Sequence, residues 1–163
     1  MVGEKSGTST AKLLGVISDT HGLLRPEAAH ELAGVDLIVH AGDIGTPDVL
    51  EELSSIAPVV AVRGNVDRGP WAGDIPERRV VEVGEHRLYV LHDVNELDLD
   101  PTVEKLTAVV AGHSHRPLVE ERDGVLFLNP GSAGPRRFTL PVALARVRVR
   151  ASRLEPRLVE LTV

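Results

Sequence analysis

Cysteine is absent from the 163-residue chain, so neither a disulfide framework nor a thiolate metal site can form. Any metal must be held by His, Asp, Glu, Asn or backbone oxygen. The hard oxygens of that set suit Mg, Ca or Mn, and imidazole adds Zn, Fe and Ni. Aromatic residues are scarce, with one Trp, one Tyr and two Phe. Positive charge is also in deficit: 18 Lys and Arg stand against 24 Asp and Glu, for a net charge of -6 and a pI near 5.6. Together these shortages argue against a nucleic-acid protein with a broad basic, aromatic-lined groove. A small anionic substrate stays compatible, because bound metal ions would supply local positive charge. No apolar run approaches the roughly 20 residues that span a bilayer. The stretch Met1–Thr10 lacks the apolar centre of a signal peptide. It reads as a short disordered tail, with the cytoplasm as the default compartment.

The remainder, residues 11–163, has the length of one compact domain and can bury about two-thirds of its unfolded surface. Runs rich in Val, Leu and Ile at Lys12–Ser18, Val35–His40 and Pro58–Arg63 read as buried strands. Helices are expected between them at Pro26–Ala33 and Pro47–Ser55, each opened by proline. That alternation implies parallel pairing with right-handed crossovers. The second half differs. Arg79–Val83 and His86–Leu91 flank Gly84-Glu85 as a hairpin, and Leu118–Arg122 and Val125–Leu128 flank Asp123-Gly124 as another. Pro101–Leu106 is expected to be a short helix and Thr107–Ala111 a strand. Val142–Arg150 and Leu154–Leu161 close the chain as a strand pair, with Val147 and Val149 alternating against Arg146, Arg148 and Arg150. The expected fold is α/β, two sheets face to face with helices outside. Residues 64–78, rich in Gly, Pro and Asp, form the longest irregular stretch.

Polar residues recur where apolar strands end. Val16-Ile17-Ser18 leads into Asp19-Thr20-His21-Gly22, and Ile38-Val39-His40 into Ala41-Gly42-Asp43. Val60-Ala61-Val62 leads into Arg63-Gly64-Asn65-Val66-Asp67, Tyr89-Val90-Leu91 into His92-Asp93, and Val109-Val110-Ala111 into Gly112-His113-Ser114-His115. Ligand sites in α/β sheets collect at the carboxyl ends of strands. In extended backbone, residues two apart project to the same side, so Asp19 with His21, and His113 with His115, are placed to grip one ion. Taken singly, each piece has an ordinary explanation as a turn, a cap or a structural histidine; the conjunction does not.

The order Asp19-x-His21, Gly42-Asp43, Gly64-Asn65, His92, Gly112-His113-Ser114-His115 resembles the calcineurin-like metallophosphoesterase superfamily. The stretches Ile17–Gly22, Val39–Ile44 and Leu128–Ser132 resemble its small YfcE-like phosphodiesterase branch, and the likeness runs from about Leu13 to the C-terminus. The resemblance implies a four-layer α-β-β-α sandwich with two mixed central sheets. It implies one metal on Asp19, His21 and His115, a second on Asn65, His92 and His113, and Asp43 bridging both. Asp43, Asn65 and His113 are the expected catalytic residues among them. Manganese is the expected ion, with Fe, Ni or Zn compatible. Two such ions, about 3.5–4 Å apart, would clamp a phosphoryl group, and hydroxide generated on them would attack phosphorus in line.

Two departures from the family stand out. Larger phosphatases carry a histidine after Gly-Asn that can serve as general acid, whereas this chain has Val66, which cannot donate a proton. Activated phosphodiesters should therefore be preferred over alkyl phosphomonoesters. Asp93 stands where relatives commonly have glycine. It is expected to cap a turn or support the site, with orientation of His92 or contact with a metal-bound water as other roles. Asp67 should anchor the Gly64–Asp67 loop, hold a histidine from behind, or serve in a plain turn. His40 should support the site, and Asn129 and Ser132 should shape a turn near it. Arg63, Arg136 and Arg137 are candidates for bidentate phosphate contact, against the plain reading as surface arginines. Trp71 either walls the pocket or packs, and His30 and His86 should face solvent. Partners would be a small phosphate ester and, by default, a second copy of the chain in a homodimer. Two rivals remain: a non-enzymatic scaffold like the retromer subunit Vps29, and a metal-dependent nuclease. Intact His21 and Asn65 favour an enzyme over the scaffold.

Overall fold

The computed structural model describes residues 11–163, and the tail expected over residues 1–10 lies outside the described residues. The first half alternates strand and helix: β1 (Leu13–Ile17), α1 (Pro26–Glu31), β2 (Leu37–His40), α2 (Pro47–Ser54) and β3 (Val59–Ala61). The second half is nearly all strand: β4 (Arg78–Val83), β5 (His86–Leu91), β6 (Ala108–Val110), β7 (Leu118–Arg122), β8 (Val125–Asn129), β9 (Ala143–Val149) and β10 (Leu154–Glu160). They form two five-stranded sheets in the orders β10-β9-β1-β2-β3 and β4-β5-β6-β8-β7. Both sheets are mixed. β1, β2 and β3 run parallel while β9 lies antiparallel to β1; β5, β6 and β8 run parallel while β4 and β7 are antiparallel edges.

The period-two alternation of each strand feeds two different layers. Leu14, Val16, Leu37 and Val39 of the first sheet meet Leu88, Val90, Ala108 and Val110 of the second in one apolar interior. Ile17, Ile38 and Leu144 point the other way and are covered by Ala28 of α1, by Leu32 just past its end, and by Val49 and Leu53 of α2. The outer face of the second sheet, with Tyr89, Leu91, Val109 and Phe127, is covered more thinly, by Leu97, Leu99 and Leu106 of the crossover.

That crossover corrects the expectation of a helix at Pro101–Leu106. The segment forms hydrogen-bonded turns only. Asp100 opens a turn, accepting from Thr102 N–H and hydroxyl (3.0 and 2.7 Å) and from Glu104 N–H through its carbonyl (3.0 Å). Lys105 then enters the left-handed region (φ 58°), and Leu106 N–H closes onto the Pro101 carbonyl at 2.9 Å. One turn is nucleated and capped before a second can follow. The other correction concerns His86, which is buried rather than solvent-facing. It shares the inward register of Leu88 and Val90, with its Nε2 2.6 Å from the Arg150 carbonyl and its Nδ1 3.3 Å from the Thr107 hydroxyl. Within the long loop, Trp71 and Ile75 pack against the α1–α2 layer, so Trp71 is a packing residue. His30 is exposed as expected.

The parallel strands bring their carboxyl ends to one edge, and glycines let those ends touch. A Cβ on Gly112 would overlap Ser18 Oγ outright and lie 2.5 Å from Asp19 Oδ2; one on Gly64 would overlap Asp43. The substitution Gly112→Ala should therefore destabilise the protein by roughly 1–3 kcal/mol through overpacking. A thermal melt beside wild type measures this, at about 2–4 °C per kcal/mol for a chain of this size. An unchanged melting temperature would contradict the close approach.

Candidate metal centre

At that edge two carboxylates are held in the same way. Asp19 is fully buried, and its Oδ2 accepts from Ser18 Oγ (2.7 Å) and His113 N–H (3.0 Å). Its Oδ1 faces three imidazoles, with the Nε2 atoms of His115, His21 and His92 at 3.3, 3.7 and 3.8 Å. Asp43 uses Oδ1 to accept from Val66 N–H at 3.1 Å and turns Oδ2 to His92 Nε2 (3.2 Å) and His21 Nε2 (3.6 Å). Each carboxylate thus pins one oxygen and presents the other.

The ligand atoms fall into two groups, Asp19 with His21 and His115, and Asp19 with Asp43 and His92, each within 4.8 Å. Among the described residues, the buried side-chain polar atoms without a hydrogen-bond partner are Asp19 Oδ1, His21 Nε2, His92 Nε2 and His115 Nδ1. Orphaned buried polar atoms are costly, at roughly 1–3 kcal/mol each. Three of the four, Asp19 Oδ1, His21 Nε2 and His92 Nε2, face one another in these two groups, which is what a divalent cation would satisfy, while His115 turns its Nε2 to the centre and leaves Nδ1 on the far side of the ring. The residues therefore fit a metal.

Backbone strain marks the same places. Asp19, His21, Asp43, His113 and His115 all have positive φ, between 47° and 71°. Such conformations cost about 1–3 kcal/mol each in non-glycine residues and persist where the surroundings over-determine them. Asp19 N–H to Gly42 O, His21 N–H to Asp43 O and Gly112 N–H to His92 O, each 2.9–3.0 Å, tie one strand end to the next.

Supporting residues set protonation. His92 Nδ1 donates to the Ala41 carbonyl at 2.8 Å, which leaves Nε2 for a cation. His40 has both nitrogens engaged: Nδ1 accepts from Gly42 N–H (3.1 Å) and Nε2 donates to the Thr20 hydroxyl (3.0 Å), which itself donates to the Ile44 carbonyl. His40 is thus a brace, and complete burial pushes its pKa down to about 4, keeping it neutral. For Asp19, burial would raise the pKa, but His115, His21, Ser18 and His92 outweigh it and hold the carboxyl well below its usual range. Asp43 is likewise lowered, as His92 and Val66 N–H outweigh burial. His92 goes the other way: burial opposes its charge, yet Asp43, Asp19 and the Ala41 carbonyl raise it to about 9. His21 is raised, chiefly by Asp19.

The remaining candidates sort by their contacts. His113 is exposed, its ring 5.1 Å from that of His92, and Asn65 is exposed one residue before the Val66 amide that holds Asp43. Asp67 accepts three backbone N–H groups, from Ile44, Gly45 and Gly64 (2.8–3.1 Å), and so ties the Asn65 loop to the Asp43 loop. Asp93 caps the turn at Val94–Glu96 through Asn95 N–H (3.0 Å) and brings its other oxygen to 3.7 Å from His113 Nε2. Ser132 donates to the Asp19 carbonyl, and Asn129 to the Gly112 carbonyl and Ser114 hydroxyl. Of the three arginines, Arg137 is the one whose charge is felt at the centre, where it opposes protonation of His21. Arg63 is engaged by Glu77 (3.3 Å), and Arg136 donates to the Leu140 carbonyl (3.3 Å). Sequence reasoning missed Ser18 and Thr20; their signal was a hydroxyl flanking the first aspartate on each side.

Residues 13–152 match the calcineurin-like phosphoesterase superfamily domain. A probable metallophosphoesterase of Methanothermobacter thermautotrophicus is 34% identical over 159 residues, covering 90% of this chain and 91% of its own. A phosphodiesterase of Methanocaldococcus jannaschii is 29% identical, over 72% of this chain and 82% of its own. Among solved structures, Vps29 of Chaetomium thermophilum superposes with a TM-score of 0.76 at 20% identity, over 93% of this chain and 99% of that one, a likeness of fold alone. The chain belongs to the calcineurin-like phosphoesterase superfamily.

Proposed function

We propose that this chain is a dinuclear metal-dependent phosphoesterase of the YfcE-like type, acting chiefly on phosphodiesters. The observation that carries the reading is the convergence of three orphaned buried ligand atoms, Asp19 Oδ1, His21 Nε2 and His92 Nε2, within two oxygen-and-imidazole groups. Asp19, His21 and His115 would hold one ion, Asn65, His92 and His113 the other, with Asp43 joining them. A manganese pair is the expected occupant, and it supplies Lewis acidity and a nucleophile available at neutral pH. The chain's own residues do the rest. The Val66 amide aims Asp43, the Ala41 carbonyl fixes the His92 tautomer, and Asp67 locks the loop that carries Asn65. Arg137 adds positive charge on the His21 side, where a phosphoryl oxygen would lie. The Val66 side chain, 47% exposed, has no proton to give a departing alkoxide, so leaving groups that need no protonation are favoured.

With manganese, the protein should hydrolyse nitrophenyl phosphodiesters faster than alkyl phosphomonoesters; the opposite ranking in a substrate panel would contradict the phosphodiesterase reading. Asp43→Asn should lower turnover at least about 100-fold, as disruption of a metal's supporting groups does or exceeds. A Vps29-like scaffold would show no turnover in either form, and a nuclease would cut plasmid or single-stranded DNA in the same buffer.

The pKa directions give a separate test. His92, raised to about 9, is protonated in the metal-free protein at pH 7, and a cation must displace that proton. Metal affinity should therefore climb as pH rises toward about 9. In the metal-free fold the same group stabilises fully below its ordinary value of 6.5, and that contribution is lost as pH rises through about 9. Titration calorimetry of manganese in two buffers of different ionisation enthalpy should show proton release at pH 7. Identical heats in the two buffers would contradict the assignment of His92 Nε2.

A further inference from the structure

We infer that a cavity beside His113 receives the apolar, uncharged leaving group of a phosphodiester. The inference rests on the phosphoesterase reading and names the part of the substrate that reading leaves open. The cavity measures about 490 Å³, within the usual range for small-molecule pockets. It borders the metal centre, since Gly112, His113 and Asp93 line it. His113 belongs to both: its amide holds Asp19 and its ring stands beside His92. An ester arm that leaves the phosphoryl group on the His113 side would meet this cavity.

The fold explains why the cavity exists and why it is apolar. Its floor is the outer face of β6 and β8, where Val109, Ala111 and Phe127 project. The crossover above that face makes turns instead of a helix, and Leu97, Leu99 and Leu106 cover only part of the layer. Val94 and Leu118 line the opening and stay 39% and 41% exposed.

The wall carries few charges. Arg122 lies on the wall, but its guanidinium sits 4.5 Å over the Phe127 ring and is paired with Glu120 at 2.9 Å. That leaves Arg116 and Asp93 as one charge of each sign, with Asp93 on the metal side next to His113. The Asn129 amide is already spent on Gly112 and Ser114. Arg116 is exposed, and an aryl or branched alkyl group meets the apolar walls of Val109, Ala111, Leu118 and Phe127.

The test uses the full chain with manganese, 2-naphthyl methyl phosphate as substrate, and the double variant Val94→Asn, Leu118→Gln, which adds polarity and no charge. Both residues are exposed, so the variant should fold, and a thermal melt checks it. Placing amides at an apolar opening should raise KM for the naphthyl ester by about fivefold or more. Turnover at saturation should hold. Inhibition by inorganic phosphate, which needs only the metals, should also be unchanged, and product inhibition by 2-naphthol should weaken in parallel with KM. Hydrolysis with an unchanged KM overturns the subsite and leaves the phosphoesterase reading standing. A KM that rises together with the phosphate inhibition constant also overturns it, since the change then acts on the metal centre. No hydrolysis by the wild-type protein overturns the phosphoesterase reading, and the subsite falls with it.

Discussion

Everything at the functional edge depends on how Asp19 is divided. One oxygen is fixed by the Ser18 hydroxyl and the His113 amide, and the other is left facing three imidazoles in a fully buried setting. That arrangement links β1 to the end of β6, and so links the two sheets. It also forces strain on the chain, since Asp19 and its neighbours at His21, Asp43, His113 and His115 all take left-handed backbone conformations. A fold accumulates such costs at one place only when something else compensates them. A divalent cation held by Asp19 Oδ1 and the imidazole nitrogens that face it would supply that compensation.

The two-sheet architecture supplies the geometry for this. Parallel strands β1, β2 and β3 in one sheet and β5 and β6 in the other deliver their carboxyl ends to the same edge. The apolar interior between Leu14, Val16, Leu88 and Val90 holds the sheets in fixed relation, so that residues far apart in sequence stay within a few ångströms. His40, Asp67, Asn129 and Ser132 then lock the loops from behind. The ligands themselves are free of structural duty on the side that faces the cation.

Much of this was legible in the chain. Strand periodicity and proline-led helices located the elements to within a residue or two, because those signals are local. The ligand types stood out because each followed an apolar run. Legibility failed where long-range packing decides. His86 reads as a polar residue at a turn, yet strand register carries it inward to the Arg150 carbonyl. Pro101–Leu106 has a helical start, but Lys105 ends it after one turn. The resemblance implies Asp43 as the shared carboxylate; Asp19 is the one common to both groups, with Asp43 in the His92 group and its Oδ2 3.6 Å from His21 Nε2, which only the relative placement of β5 and β6 reveals. Val66 reads as a lost acid, and its backbone amide turns out to orient Asp43.

The central claim is a pair of ions on this edge. Anomalous diffraction at the manganese edge, from a crystal grown with manganese, tests it most directly. The account predicts two peaks, one within bonding distance of Asp19, His21 and His115, the other of Asn65, His92 and His113, with Asp43 touching both. A single peak, or peaks away from these residues, would contradict it.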